Sequence, residues 1–282
     1  MSIVYLNGEF MPIEDAKISP LDRGFLFGDS IYEFIPYFNG RPVGFDLHIQ
    51  RMLEGLSKIQ IKIESTDWRG ILDQIIAKNE GDELAVYIQV SRGADIKRAH
   101  QFPTNISPTV FIMTQPIAKE IVPSVETAKT YSVLTSLDKR WKHCDIKSTS
   151  LLGNVLHFQD GYENNKDENL LFNTDGYLTE CSACNVFVIK GNKIVTPILD
   201  KQILPGVTRR LVINAVNSSD EYSIEERNVS LDETKSADEV WITSSSKQIA
   251  PVIEVDGQAV GNGKAGPVWE ECSKLFDKIK YL

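Results

Sequence analysis

The sequence predicts an α+β fold in two domains, and three observations carry that expectation. Its 282 residues suffice for roughly two domains of about 150 residues, each with its own core. Apolar residues fall into short strand-like runs bounded by turn dipeptides, interleaved with stretches of helical period. Between them, the segment from Pro116 to Pro123 carries two prolines and no periodicity. The expected organisation is therefore an N-terminal domain over residues 1–117, a linker at 118–124 and a C-terminal domain over 125–282.

The elements follow in order. Residues 3–6 and 9–11 flank Asn7-Gly8, a dipeptide that tolerates positive φ at both positions and so marks a hairpin. Asn39-Gly40 repeats the signal between residues 32–38 and a strand starting near Arg41. Ile49, Met52, Leu53, Leu56 and Ile59 recur at helical spacing and are expected on one buried face. Trp68, Ile71, Leu72, Ile75 and Ile76 repeat that spacing, and residues 84–90 and 109–114 read as buried strands. Past the linker, Leu151, Leu152, Val155, Leu156 and Tyr162 mark a helix starting just after Lys147. Strands are expected at 170–173, 185–190 and 193–197, with Asp175-Gly176 and Gly191-Asn192 as turns. Leu204-Pro205-Gly206-Val207-Thr208 leads into a helix carrying Leu211, Val212, Ala215 and Val216. A strand at 239–243, a hairpin around Asp256-Gly257 and a helix with Val268, Cys272, Leu275, Phe276 and Ile279 complete the pattern.

Composition excludes several classes. A net charge of −9 argues against general nucleic-acid binding, which relies on Lys and Arg neutralising phosphates. No apolar run approaches the roughly 20 residues of a membrane helix, and the stretch Met1-Ser2-Ile3-Val4-Tyr5-Leu6 lacks the basic region and cleavage site of a signal peptide. Four scattered cysteines are too few for a disulfide scaffold in a chain of this length. Cys181-Ser182-Ala183-Cys184 has no second ligand pair, so no metal is expected. The expected compartment is the cytoplasm.

Lys147, in Trp-Lys-His-Cys-Asp-Ile-Lys-Ser (141–148), and Glu180, in Tyr-Leu-Thr-Glu-Cys-Ser-Ala-Cys-Asn-Val-Phe (177–187), are the candidate chemical pair. Lys147 is placed at a strand-to-helix junction, where Ser148-Thr149-Ser150 could cap the helix. Glu180 is placed just ahead of a strand. A deprotonated lysine forms a Schiff base with an aldehyde, and a buried carboxylate holds a proton on a heteroaromatic nitrogen. These are the two groups that a pyridoxal phosphate (PLP) site must supply. Gly206-Val207-Thr208 opens a helix, whose free N–H groups and dipole favour a phosphate. The run from Thr243 to Ser246 adds hydroxyls, and Arg51 can make charge-assisted bonds. Each of these residues, taken singly, reads first as a helix cap, a polar loop or a surface arginine, and only the combination points to a phosphate site. Arg92, Arg98 and His100 form another basic cluster, which could clamp a carboxylate or simply decorate a solvated loop.

The chain resembles the D-amino acid aminotransferases, members of fold type IV of the PLP enzymes, over almost its whole length. Six ordered segments carry the resemblance: Asp22-Arg23-Gly24-Phe25-Leu26-Phe27-Gly28-Asp29-Ser30-Ile31-Tyr32-Glu33, His48-Ile49-Gln50-Arg51, Arg98-Ala99-His100-Gln101-Phe102-Pro103, Cys144-Asp145-Ile146-Lys147-Ser148, Leu204-Pro205-Gly206-Val207-Thr208-Arg209 and Thr243-Ser244-Ser245. It implies a small N-terminal α/β sandwich and a larger C-terminal pseudo-barrel that binds PLP. It further implies that Lys147 forms the Schiff base and shuttles the proton of a 1,3-shift, and that Glu180 contacts the pyridine nitrogen. Arg51, Val207, Thr208, Ser244 and Ser245 would hold the phosphate, with Ser182 and Ala183 near the cofactor and Leu204 packed on its ring. Arg98 and His100 would reach the neighbouring active site of a homodimer and, with Tyr32, bind the substrate carboxylate. The implied reaction is that of a transaminase: D-alanine and 2-oxoglutarate give pyruvate and D-glutamate. Branched-chain L-amino acid or (R)-amine transamination, aminodeoxychorismate lysis and, more remotely, PLP binding without catalysis are the alternatives. Phe34, Pro36, Cys181, Ala183 and Cys184 depart from the family pattern and leave the preferred side chain open.

Overall fold

The computed structural model describes residues 2–120 and 122–282, so Met1 of the N-terminal stretch and Ile121 of the expected linker lie outside the described residues. The chain divides into two compact units, Met1–Glu120 with Ile146–Leu151, and Ile121–Asp145 with Leu152–Leu282. Lys147 thus belongs to the first unit, although it follows the expected linker in sequence.

The first unit contains β1 (Ile3–Leu6), β2 (Glu9–Pro12), α1 (Arg23–Phe27), β3 (Ser30–Phe38), β4 (Arg41–Pro42), α2 (Phe45–Lys58), α3 (Trp68–Ala77), β5 (Glu83–Ser91) and β6 (Thr109–Pro116). Its sheet runs β2-β1-β6-β5-β3-β4, with every pair antiparallel. Both Asn-Gly turns form as expected, with Asn7 and Asn39 each at φ 50°. Side chains alternate across a strand, so Ile31, Ile35 and Tyr37 of β3 enter a core with Met52, Leu56, Leu72 and Ile75, while Tyr32 and Phe34 stay partly exposed on the other face. The buried face of α2 is rotated from the one expected: Leu53 is exposed, and His48, Arg51, Met52, Gly55 and Leu56 are buried. Two polar residues can occupy that face because the Glu33 side chain lies there to pair with both.

The second unit contains β7 (Tyr131–Leu137), α4 (Leu152–Glu163), β8 (Glu168–Phe172), β9 (Leu178–Cys181), β10 (Asn185–Lys190), β11 (Lys193–Thr196), α5 (Val207–Asn217), β12 (Ser223–Glu226), α6 (Leu231–Lys235), β13 (Glu239–Ser244), β14 (Gln248–Val255), β15 (Gln258–Ala259) and α7 (Pro267–Ile279). The strand order is β12-β11-β10-β13-β14-β7-β8-β9, with β15 added to β14. At the end of that order, the Cys181 N–H donates to the Cys184 carbonyl at 2.7 Å, which brings β9 back beside β10. The sheet therefore curls into the pseudo-barrel that the resemblance implies. Val133, Leu170, Leu178, Val186, Val188, Val240, Ile242 and Val252 fill one apolar core. Phe187 and Trp241, one residue out of phase with that set, pair on the opposite face, with ring centroids 6.2 Å apart.

Three expectations change here. The helix after Lys147 begins at Leu152, and Lys147 lies in a loop rather than at a strand end. Glu180 sits within β9 rather than ahead of a strand. Tyr131–Leu137 is a strand at the centre of the sheet, although it gave no clear signal, because only Val133 is fully buried along it.

Candidate active site

Lys147 is held by β3. Its carbonyl accepts the Tyr32 N–H at 2.9 Å, Ser148 bridges to Ile31, and the Thr149 N–H donates to the Ser30 carbonyl at 3.1 Å. The Ser30 and Thr149 hydroxyls are also hydrogen-bonded. The loop passes so close to Gly28 (φ 66°) that a Cβ there would strike Ser150. The Lys147 side chain is half-buried, and its Nζ lies 4.0 Å from the centroid of the Tyr32 ring. Tyr32 in turn stacks on Tyr87 at 5.7 Å, on the open face of the sheet.

One residue along, β3 turns Glu33 into the core. Arg51 grips it from α2 with Nε to Oε1 at 2.7 Å and Nη2 to Oε2 at 2.8 Å, and His48 Nδ1 lies 2.6 Å from Oε2. Burial raises the Glu33 carboxyl, but Arg51 and His48 outweigh it and hold it well below its usual range. Burial pushes His48 down against the pull of Glu33. Arg51 is thus a guanidinium fixed at a strand-helix junction by a fully buried carboxylate. Arg98 and His100 occupy the connection between β5 and β6 with exposed side chains. They gather around Phe27, whose ring lies 4.9 Å from the Arg98 guanidinium and 5.4 Å from the His100 ring.

In the second unit Glu180 is buried on β9. It accepts from Arg140 Nη1, from Asn185 Nδ2 at 3.0 Å and from the Leu204 N–H at 3.1 Å. Burial pushes its carboxyl up to about 7, with Arg140 pulling the other way. Arg140 is shared, since its Nη2 also meets Asp138 at 2.7 Å, and Thr179 donates to the same Asp138. Asn185 organises what surrounds Glu180. Its amide donates to the Leu204 carbonyl at 3.0 Å, and a Cβ on Gly206 would collide with its side chain. Across the β10–β13 ladder it stands opposite Thr243.

Gly206 is the N-cap of α5 and offers no side-chain cap, so the first N–H groups of that helix remain available to an anion. Thr208 is buried at this end, and Ser244 and Ser245 are partly buried at the end of β13. The buried Thr243 hydroxyl has no hydrogen-bond partner. A buried carboxylate, an uncapped helix N-terminus and an orphaned hydroxyl suit a ligand with a protonated ring nitrogen at one end and a phosphate at the other, which is the chemistry of PLP. Ser182 is committed elsewhere: its N–H and hydroxyl donate to buried Glu168, and its carbonyl accepts from Asn154 at 2.7 Å. Ala183 is exposed on the same turn.

The amino-transferase class IV family model matches residues 30–255. The chain belongs to the class IV aminotransferases. A D-alanine aminotransferase of Staphylococcus haemolyticus is 33% identical over 281 residues, covering 99% of this chain and 98% of that protein. Among solved structures, the branched-chain amino acid aminotransferase of Escherichia coli matches with a TM-score of 0.89 at 23% identity, over 99% of this chain and 94% of that one. A hypothetical aminotransferase from Mycobacterium tuberculosis in its PLP-bound form matches with a TM-score of 0.82 at 21% identity, over 99% and 98% of the two chains. At these identities the two solved structures speak for the fold.

Several residues of this class IV aminotransferase escaped the sequence reading. Arg140, Asp138 and Asn185 surround Glu180 yet carry no motif of their own, although Arg140 stands next to the Trp141 that opens the lysine segment. Glu33 and His48 lay inside quoted segments without an assigned role. Their only signal was spacing: His48 and Arg51 share one face of a helix.

Proposed function

We propose that this class IV aminotransferase moves the amino group of a D-amino acid, D-alanine foremost, to a 2-oxo acid such as 2-oxoglutarate, with PLP as its cofactor. Support comes from the D-alanine aminotransferase of Staphylococcus haemolyticus, aligned along 99% of this chain, and from the PLP-bound form of the Mycobacterium tuberculosis fold neighbour. The observation that carries the proposal is the desolvated Glu180 carboxylate, pushed to about 7 and set beside the Asn185–Leu204–Gly206 framework of an open helix N-terminus.

Bound PLP supplies an electrophilic aldehyde and a ring that accepts the electrons of a broken Cα–H bond. Lys147 Nζ would hold the cofactor covalently and, as a free amine, would take the substrate Cα proton. Resting against Tyr32 on the open sheet face, this amine has one direction of approach fixed. Glu180 would hold a proton on the ring nitrogen, whose positive charge would restore the ionised form that burial disfavours. Arg51, held by Glu33, and the N–H groups of Val207 and Thr208 would hold the phosphate with Ser244 and Ser245. Leu204 would lie against the ring, and Ala183 and Ser182 would lie near the cofactor, with the polar groups of Ser182 already committed to Glu168 and Asn154. Arg98, His100 and Tyr32 bind the substrate carboxylate.

A homodimer is part of the proposal, with Arg98 and His100 serving the neighbouring subunit's site. Helix α4 supports it: Leu152, Val155, Leu156, Phe158 and Tyr162 are exposed on one helix, with Leu152 at 71% and Leu156 at 62% exposure. Among the described residues no helix is long and apolar enough to cross a membrane. The four cysteines are free and buried, in keeping with a cytoplasmic setting.

A branched-chain L-specific activity is the second reading, favoured by the fold match to the Escherichia coli enzyme. Supplying the PLP-loaded protein with D-alanine or L-leucine and 2-oxoglutarate separates the two. Pyruvate formation from D-alanine, followed by a coupled lactate dehydrogenase assay, is expected. Turnover of L-leucine without D-alanine would overturn the D-specific assignment.

A further inference from the structure

The segment from Asp22 to Asp29 has no role in the chemistry above, yet it underlies the loop that carries Arg98 and His100. Asp22 caps α1 through the Gly24 N–H at 2.8 Å and accepts the hydroxyls of Ser91 at 2.9 Å and Thr109 at 2.7 Å, the two residues where β5 ends and β6 begins. The Arg23 N–H donates to the Gly93 carbonyl at 2.9 Å, and Asp22 bridges to Ala94. The Arg23 side chain is only 4% exposed. Its Nε donates to Asp29 at 2.8 Å, while Nη1 and Nη2 reach the carbonyls of Ala99 at 2.5 Å, His100 at 3.3 Å and Gln101 at 3.5 Å.

That arrangement is more specific than a generic loop anchor. Asp29 is shared with Arg92, which takes both of its oxygens, so the buried Arg23 charge depends on loop carbonyls for the rest of its solvation. Three successive carbonyls drawn onto one rigid, planar fork fix the backbone on either side of His100. Phe27, at the other end of α1 from Arg23, meets the Arg23, Arg98 and His100 side chains on its ring. The exposed Arg98 and His100 side chains are thereby held from below by the backbone and from one side by an aromatic ring.

We propose, on the reading of Arg98 and His100 as carboxylate ligands given above, that Arg23 is the positioning residue of the substrate-carboxylate loop. It acts through the 99–101 backbone and touches neither substrate nor cofactor. Lysine in its place keeps the charge but offers a point donor that cannot span Asp29 and three carbonyls.

The test is steady-state kinetics on PLP-loaded Arg23→Lys, alongside hydrogen exchange of the whole protein. KM for D-alanine is expected to rise about tenfold with kcat changed less than about twofold, because ground-state and transition-state carboxylate binding are lost together. Amides of residues 98–102 should exchange faster, with those of α2 unchanged. An unaltered KM, or a fall in kcat accompanied by faster exchange throughout the unit, overturns the assignment. Should that variant not fold, Asp29→Asn, which loosens the same fork, is read in the same way. Arg98→Ala is the companion measurement. An unchanged KM there rejects the carboxylate reading itself, whereas a raised KM there with a normal one in Arg23→Lys rejects only the positioning role.

Discussion

Glu180→Gln isolates the electrostatic character of the proposed ring-nitrogen partner. Burial raises this carboxyl from an ordinary 4.5 to about 7 in the protein without cofactor. A group whose folded value lies above its unfolded one favours the fold fully at low pH, and that contribution is lost as pH rises from the unfolded value through the folded one. At about 1.4 kcal/mol per tenfold change in protonation equilibrium, the displacement from 4.5 to about 7 corresponds to roughly 3 kcal/mol. Most of it, roughly 2–3 kcal/mol, should appear between about pH 5 and about pH 8.5. Glutamine preserves an acceptor for Asn185 and the Leu204 N–H, and Arg140 keeps Asp138 at 2.7 Å. Whatever the amide costs against Arg140 does not vary with pH, so the difference in slope reports Glu180 alone. Urea denaturation of the cofactor-free protein and its variant at several pH values measures it. The stability gap should move in the variant's favour as pH rises. Two parallel curves would refute the reasoning, by showing that Arg140 keeps Glu180 ionised across the whole range.

Glu33→Gln should destabilise the first unit by roughly 3–5 kcal/mol in urea denaturation, because it removes the buried carboxylate charge that Arg51 Nε and Nη2 meet. Glu33 has a depressed folded value, so its stabilisation is present above about pH 4.5 and is lost as pH falls; the acid-side loss in the wild type should be smaller in the variant. Leu156→Glu places a charge on the apolar face of α4 and should shift the proposed dimer to monomer mass in light scattering, with its circular dichroism unchanged. A dimer that persists would move the subunit interface away from α4.

Legibility in the sequence tracked how local the determinant was. Asn7-Gly8 and Asn39-Gly40 specify their turns with two residues, and the period of α3 specifies its buried face with five. Helix α4 shows the limit: its apolar residues announce a helix, but most of them lie on the exposed side, and a period cannot say what covers a face. Strand β7 was invisible for a related reason. Its neighbours β8 and β14 both pair with it in parallel, one reached across a helix and the other more than a hundred residues away. Strand β9 reads as polar because Thr179 and Glu180 are buried for hydrogen bonding rather than for packing. The residues proposed for the lysine, the ring partner, the phosphate site and the carboxylate clamp could be named through resemblance; the arginine that grips Glu180 could not, since Arg140 lies forty positions from it.

The two buried glutamates show what only the fold can decide. Both lie on strands, both meet an arginine, and both are desolvated, yet their carboxyls move in opposite directions. Glu33 receives two donors from Arg51, one to each oxygen, and His48 adds a third contact, so the charged form is favoured despite complete burial. Glu180 receives a single guanidinium nitrogen from an Arg140 that also serves Asp138, and its other donors are neutral amides. Dividing the arginine leaves desolvation dominant. The consequence is a division of labour between identical side chains: Glu33 is a permanent anion that fixes Arg51, and Glu180 is a carboxylate short of positive charge. Adding a cation beside Glu180 relieves that shortage, which a protonated ring nitrogen does and a neutral ring does not.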